Sequence, residues 1–351
     1  MRFRSFVGLV VLATAVVSVA FAKDGKVRVE RLLDAPIVTP DTDPSIGTNI
    51  QGPSLIRVPD WVENRLGEYY LYFADHKGQY IRLAFADNLS GPWRVHAAGS
   101  LQIADSKFPT EPPPIPPGAL EKEQARRAAE GRSWSKLPHS FAKEATATHI
   151  ASPDVHVDEE NRRILMYFHG LDSFATQLTR LAVSTDGIHF EGLPEKLGRS
   201  YFRVFKHGGA TYAIAMPGQL YRSADGVSGF EEGPMLFNPE MRHCALLKRG
   251  DQLYVFWTQV GDVPESILLS TIDLSQSWME WKETEPVEVM RPEHRWEGAD
   301  EPLEPSIRSV AYGPVNQLRD PAIFEEDGRV FLLYAVAGEA GIAIAEVFLD
   351  D

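Results

Sequence analysis

Five copies of one strand pattern, strands rich in β-branched and aromatic residues, and turn residues bounding each of them predict an all-β chain. The architecture they imply is a five-bladed β-propeller with two long insertions at its pocket end. The first strand of each unit is expected at 53–58, 152–157, 201–206, 243–248 and 320–325. The second strands read YYLYFAD from Tyr69, ILMYFHG from Ile164, TYAIAM from Thr211, LYVFWTQ from Leu253 and VFLLYAV from Val330. The third strands read YIRLAFAD, LTRLAVSTDG, QLYRSADG, SILLSTIDL and GIAIAEV. One such sheet cannot bury both faces alone, so neighbours must stack around an axis. An outer strand is expected in each unit. The fifth unit runs out of chain at Asp351, and residues 27–33 are expected to supply its outer strand by pairing the two termini.

The insertions span 101–148, with the run EPPPIPPG and a helix expected over 120–130, and 285–317. Both join an outer strand to the next inner strand, which places them at the end of the ring where inner strands begin. At the N-terminus, Arg2 and Arg4 precede an apolar run from Phe6 to Val19 and then Ala20-Phe21-Ala22. That order predicts a secretory leader, residues 1–22, cleaved after Ala22. Residues 23–351 then form one domain, periplasmic or extracellular, without a membrane anchor. The single cysteine, Cys244, excludes a disulfide framework. A net charge of −14 argues against nucleic acid or anionic lipid as partner. Phosphate-loop, esterase, zincin and thioredoxin motifs are missing from the sequence.

Blade topology says which polar residues meet. Residues just before each first strand, and those in the loop after each second strand, emerge at one end of the channel. That end collects His76, His149, Asp154, Arg203, Arg242, His243, Gln259, Arg319, Asp320 and Glu339. Carboxylates, imidazoles and arginines around a ring suit a hydroxyl-rich molecule, and paired carboxylates can cleave a glycosidic bond. Asp154 and Asp320 are the expected catalytic pair, with Glu339 or His243 as proton donor. His76, His149, Arg203, Arg242, Gln259 and Arg319 are the expected substrate contacts. Each residue has a structural reading too: an aspartate beside proline caps backbone, and arginines pair with aspartates. Trp257 fits blade core, whereas Trp134 and Trp296, in the insertions, could serve as sugar platforms. No cofactor is required; a divalent cation on the axis would take His243 and neighbouring oxygens.

The segments QLRDPAIFEEDGRVFLLYAVAGE and SPDVHVDEENRRILMYFHG resemble blades of the five-bladed glycoside hydrolases, which include families 43, 32 and 117. The resemblance covers nearly the whole chain after the leader. It implies an exported glycoside hydrolase acting on the end of a poly- or oligosaccharide. In family 43 an aspartate opening the first inner strand is the base, a second opening the next strand tunes it, and a glutamate before the third is the acid. Those positions hold Gly52, Ser152 and a site near Ser200, and only Asp320, in Arg319-Asp320-Pro321, keeps the motif. Family 117 implies a histidine as acid, compatible with a histidine-rich pocket. The alternatives are a non-catalytic carbohydrate-binding propeller and a polysaccharide lyase acting on a uronate.

Overall fold

The computed structural model describes residues 27–129 and 139–349, with the backbone of Ala20–Phe21. The expected leader is otherwise outside the described residues, as are Glu130 and Trp134. Five antiparallel sheets form the ring. Blade I comprises Gln51–Arg57, Tyr69–Ala74, Tyr80–Ala86 and Arg94–Gln102. Blade II comprises Ile150–Asp158, Arg163–Ser173, Thr176–Ser184 and an outer edge split into Glu191–Gly192 and Gly198–Arg199. Blade III uses Arg203–His207, Ala210–Ala215, Gln219–Ser223 and Glu231–Met235, and blade IV uses Met241–Arg249, Gln252–Gln259, Ile267–Asp273 and Val287–Met290. Blade V uses Arg319–Glu326, Arg329–Ala335 and Ile342–Leu349. Its outer strand is Val27–Arg31, which runs antiparallel to the C-terminal strand from Val27 opposite Leu349 to Arg31 opposite Ala345. The ring therefore closes by pairing the termini.

Alternation along each strand sends apolar side chains to both faces of a blade, so every face is buried against a neighbour. Five apolar clusters result, one per junction. Tyr72 and Met166 belong to the I–II junction, Tyr167 and Phe202 to II–III, and Ile214 and Trp257 to III–IV. Phe256 and Leu332 belong to IV–V, and Phe73 with Leu333 to V–I. Trp257 is thus blade core. Trp296 packs against the IV–V cluster and stacks on His294 at 5.3 Å, so the expected sugar platform is a packing residue.

Four of the five inner strands, all but that of blade III, share one departure from regular pairing. The register slips between Gln51 and Ser54, Ala151 and Asp154, Met241 and Cys244, and Arg319 and Ala322. Each slip is a bulge, which re-aims the side chain at the extra residue. Ser152 and Asp320 occupy these bulges with φ of 47° and 49°, and Tyr201, opening blade III, has φ of 66°. Side chains rarely adopt such backbone, and it gathers at functional sites. Gly52 holds the same position in blade I, where a Cβ would lie 2.9 Å from the Ser152 Cα. The carboxylate that the family 43 resemblance would put there is sterically shut out.

The first insertion carries the helix Ala119–Ala129, close to the expected span, and a second helix Phe141–Thr146 that the sequence reading did not anticipate. Ser140 caps the second one by accepting from the Lys143 amide. His139 lies edge-on to Tyr312 at 5.5 Å, so the two insertions meet.

Candidate active site

Both insertions border a cavity of about 450 Å³ at the end of the ring where the inner strands begin. Phe141, Glu144 and Arg127 come from the first insertion, Arg308 and Ser309 from the second, and His76, Tyr201, Arg242 and His243 from the blades. The size is that of a small-molecule pocket.

Two of the lining residues are histidines backed by buried carboxylates. The first is His243, whose Nδ1 directly contacts Asp320 Oδ1. Burial lowers the His243 pKa below the ordinary histidine value, with Asp320 opposing, so the ring is neutral. Burial pushes Asp320 upward, but His243 and Arg319 outweigh it and the carboxyl stays ionised. A neutral ring that gives its Nδ1 proton to a carboxylate presents Nε2 as a base. The second is His76, whose Nδ1 lies 3.1 Å from Glu339 Oε1. Glu339 also accepts from Arg319 Nη1 at 2.7 Å and Asn49 Nδ2 at 2.6 Å. These contacts overcome burial and hold it well below the usual carboxylate range. A carboxylate so held cannot release a proton, which corrects the expectation of Glu339 as donor.

Tyr201 stands between the histidines of blades II and IV. Its ring centroid is 4.4 Å from His243 and 4.0 Å from His169. His149 and His169 are fully buried, and burial lowers both pKa values well below the ordinary one. His149 donates from Nδ1 to the Ala147 carbonyl at 2.7 Å and lies behind the cavity wall, so the substrate contact expected of it is not made by the lining.

Other expected residues are also placed elsewhere. Asp154 and Arg203 line a separate cavity of about 110 Å³ with Ser54, His156, Ala245 and Ala322 from the inner strands. The bulge at Ser152 breaks the two-residue alternation that would have brought Asp154 to the larger cavity. Instead Asp154 accepts from the Val204 amide and His156 Nε2, both at 2.8 Å, and sits 3.7 Å from Arg203. Arg203 donates to the carbonyls of Cys244 and Pro153, stitching three blades together. The expected Asp154 and Asp320 pair is therefore split between two cavities. Gln259 is not part of the cavity lining and instead accepts from Asn238 and donates to Asp262. Arg319 is enclosed by Glu339, Gln317, Glu265 and the Ser309 carbonyl, so it positions Glu339 rather than reaching the cavity. Among the described residues no three His, Cys, Asp or Glu side chains group together as metal ligands.

His76, Arg242 and His243 are the expected residues that line the cavity, with Asp320 and Glu339 directly behind. Tyr201, Lys77, Glu144, Arg199 and Glu265 were missed. Glu265 left a faint signal, a lone carboxylate ahead of the apolar SILLS. It is fully buried, 3.2 Å from Arg242 Nε.

The five closed blades share their fold with solved family 43 glycoside hydrolases. A thermostable family-43 glycoside hydrolase superposes with a TM-score of 0.53 at 15% identity, over 87% of this chain and 91% of the other. A β-xylosidase/α-arabinofuranosidase from a compost microbial metagenome, in complex with xylotriose, gives 0.53 at 13%, over 91% and 94%. A GH43_1 enzyme from Xanthomonas citri gives 0.53 at 12%, over 90% of both chains. No family model matches the chain. At the level of sequence it is 36% identical over 326 residues to uncharacterized protein R118 of Acanthamoeba polyphaga mimivirus, covering 85% of this chain and 83% of that one. The chain belongs to the family of that protein.

Proposed function

We propose that the protein is an exported glycoside hydrolase that releases sugar from the end of a poly- or oligosaccharide, using histidines rather than the family 43 carboxylates. The observation that carries this reading is the pair of cavity-lining imidazoles, His243 on Asp320 and His76 on Glu339. Hydrolysis needs a base for the attacking water and an acid for the departing oxygen. Neutral His243 takes the water proton at Nε2 while Asp320 stabilises the imidazolium that forms. His76, beside ionised Glu339, gives its proton to the leaving oxygen. Water adds to the anomeric carbon as the bond to the leaving oxygen breaks, and the two rings then exchange protons with solvent. The inserted walls favour a chain end over an open groove, and the propeller fold shared with family 43 supports a carbohydrate ligand.

The reading is tested by incubating purified protein with a glycan panel and measuring released reducing ends. His243→Ala and Asp320→Asn are each expected to lower turnover a hundredfold or more in proteins that retain the wild-type thermal transition. Undiminished turnover in folded His243→Ala would remove the assignment.

A further inference from the structure

The cavity reverses the charge balance of the chain. In the sequence 49 acidic residues outnumber 35 Lys and Arg. The cavity is nevertheless lined by Lys77, Arg127, Arg199, Arg242 and Arg308 against one carboxylate, Glu144. The balancing carboxylates stand outside the lining: Glu265 is 3.2 Å from Arg242, Glu240 is 3.4 Å from Arg308, and Glu123 is 2.6 Å from Arg127. Arg199 is exposed at the cavity and has no ion pair among the described residues. Beside these cations the Ser309 hydroxyl is buried without a hydrogen-bond partner among the described residues. Arg242 is only 3% exposed, and burial together with Arg319 depresses its pKa to about 10. Its charge is therefore poorly solvated, and an anion in the cavity would relieve it more than a hydroxyl could.

We propose that the cavity takes an anionic sugar, a glycan end residue bearing a carboxylate or a sulfate, whose charged group is met by Arg242 and Arg199. The proposal rests on the carbohydrate reading of the same cavity. A planar guanidinium presents paired donors that match the oxygens of either group. Neutral sugars offer no such match.

Calorimetric titration of the full protein with digalacturonate, galactose 6-sulfate and uncharged galactobiose tests this. At least one charged ligand is expected to bind tenfold or more tightly than galactobiose, with the gap shrinking as salt rises. The first two ligands separate carboxylate from sulfate. Arg242→Gln strands buried Glu265 and can unfold the blade, so exposed Arg199→Gln is the second variant. It is expected to weaken the preferred charged ligand about tenfold, a larger factor than it costs galactobiose. Galactobiose binding as tightly as both charged ligands, failure of both to bind, or an unchanged affinity in Arg199→Gln would overturn the proposal. Product analysis separates this from the hydrolase reading. Tight charged binding with no turnover, or with an unsaturated product absorbing in the ultraviolet, sinks hydrolysis and leaves the anionic ligand standing. Turnover of neutral glycans alone does the reverse.

Discussion

His169 shows how much one buried ring can decide. Neither of its ring nitrogens has a partner among the described residues, and its face lies on Tyr201, which in turn lies on His243. His149, His169 and His243 all have pKa values lowered by burial, so the folded protein holds them neutral. The unfolded chain protonates histidine near pH 6.5, as a model peptide does. Below that pH the unfolded state binds more protons, and stability falls as pH falls. The lowered carboxyls Asp154, Asp320 and Glu339 lose their contribution only at lower pH, below about 4. Between pH 7 and 5 the unfolding free energy is therefore expected to drop, by at most about 1.4 kcal/mol per pH unit for each histidine, and the thermal midpoint with it. His169→Phe keeps the stack and cannot charge, so its midpoint is expected to fall less steeply over that range. Parallel slopes in differential scanning calorimetry would show that His169 is not held neutral.

At the scale of elements, the outer strand of blade V does more than close the ring. Arg31, at its end, donates to both oxygens of Glu297 at 2.8 and 2.9 Å. Glu297 is fully buried within the second insertion and also accepts from the Tyr334 hydroxyl at 3.0 Å. The Glu293 and His294 amides complete its shell. The strand is thereby tied to the insertion that bears Arg308 and Ser309. Removing one partner of a buried pair leaves a stranded charge, at a cost of about 3–5 kcal/mol. Arg31→Met is expected to lose that much stability in urea unfolding, and Arg31→Met combined with Glu297→Gln to recover part of it. A loss below 1 kcal/mol in the single variant would reduce the contact to a surface ion pair.

For the whole molecule, the ring is a scaffold and the insertions are the walls. The helix Ala119–Ala129 has no buried residue, so it adds little to the core. Its contribution to the cavity is Arg127, which lies over the Phe141 ring at 5.3 Å. Replacing residues 110–138 with a short Gly-Ser linker is expected to shift the thermal midpoint by only a few degrees while weakening glycan binding tenfold or more. Loss of the cooperative transition would make the insertion part of the fold. Unchanged glycan affinity would remove it from the site.

The propeller was legible in the residues alone, because strand alternation and turn residues are local and the repeat restates them in every blade. The closure of the ring was legible as well, since the fifth unit lacked an outer strand and 27–33 was the segment free to pair. The positions of His243, Asp320, Glu339 and His76 around one end followed from blade topology. Which of those groups share a cavity depends on the folded ring. Bulges at Ser152 and Asp320 are set by packing around the axis, and they sent Asp154 into one cavity and left His243 on Asp320 beside another. The arginine lining assembles from two insertions and two blades, so no stretch of sequence contains it.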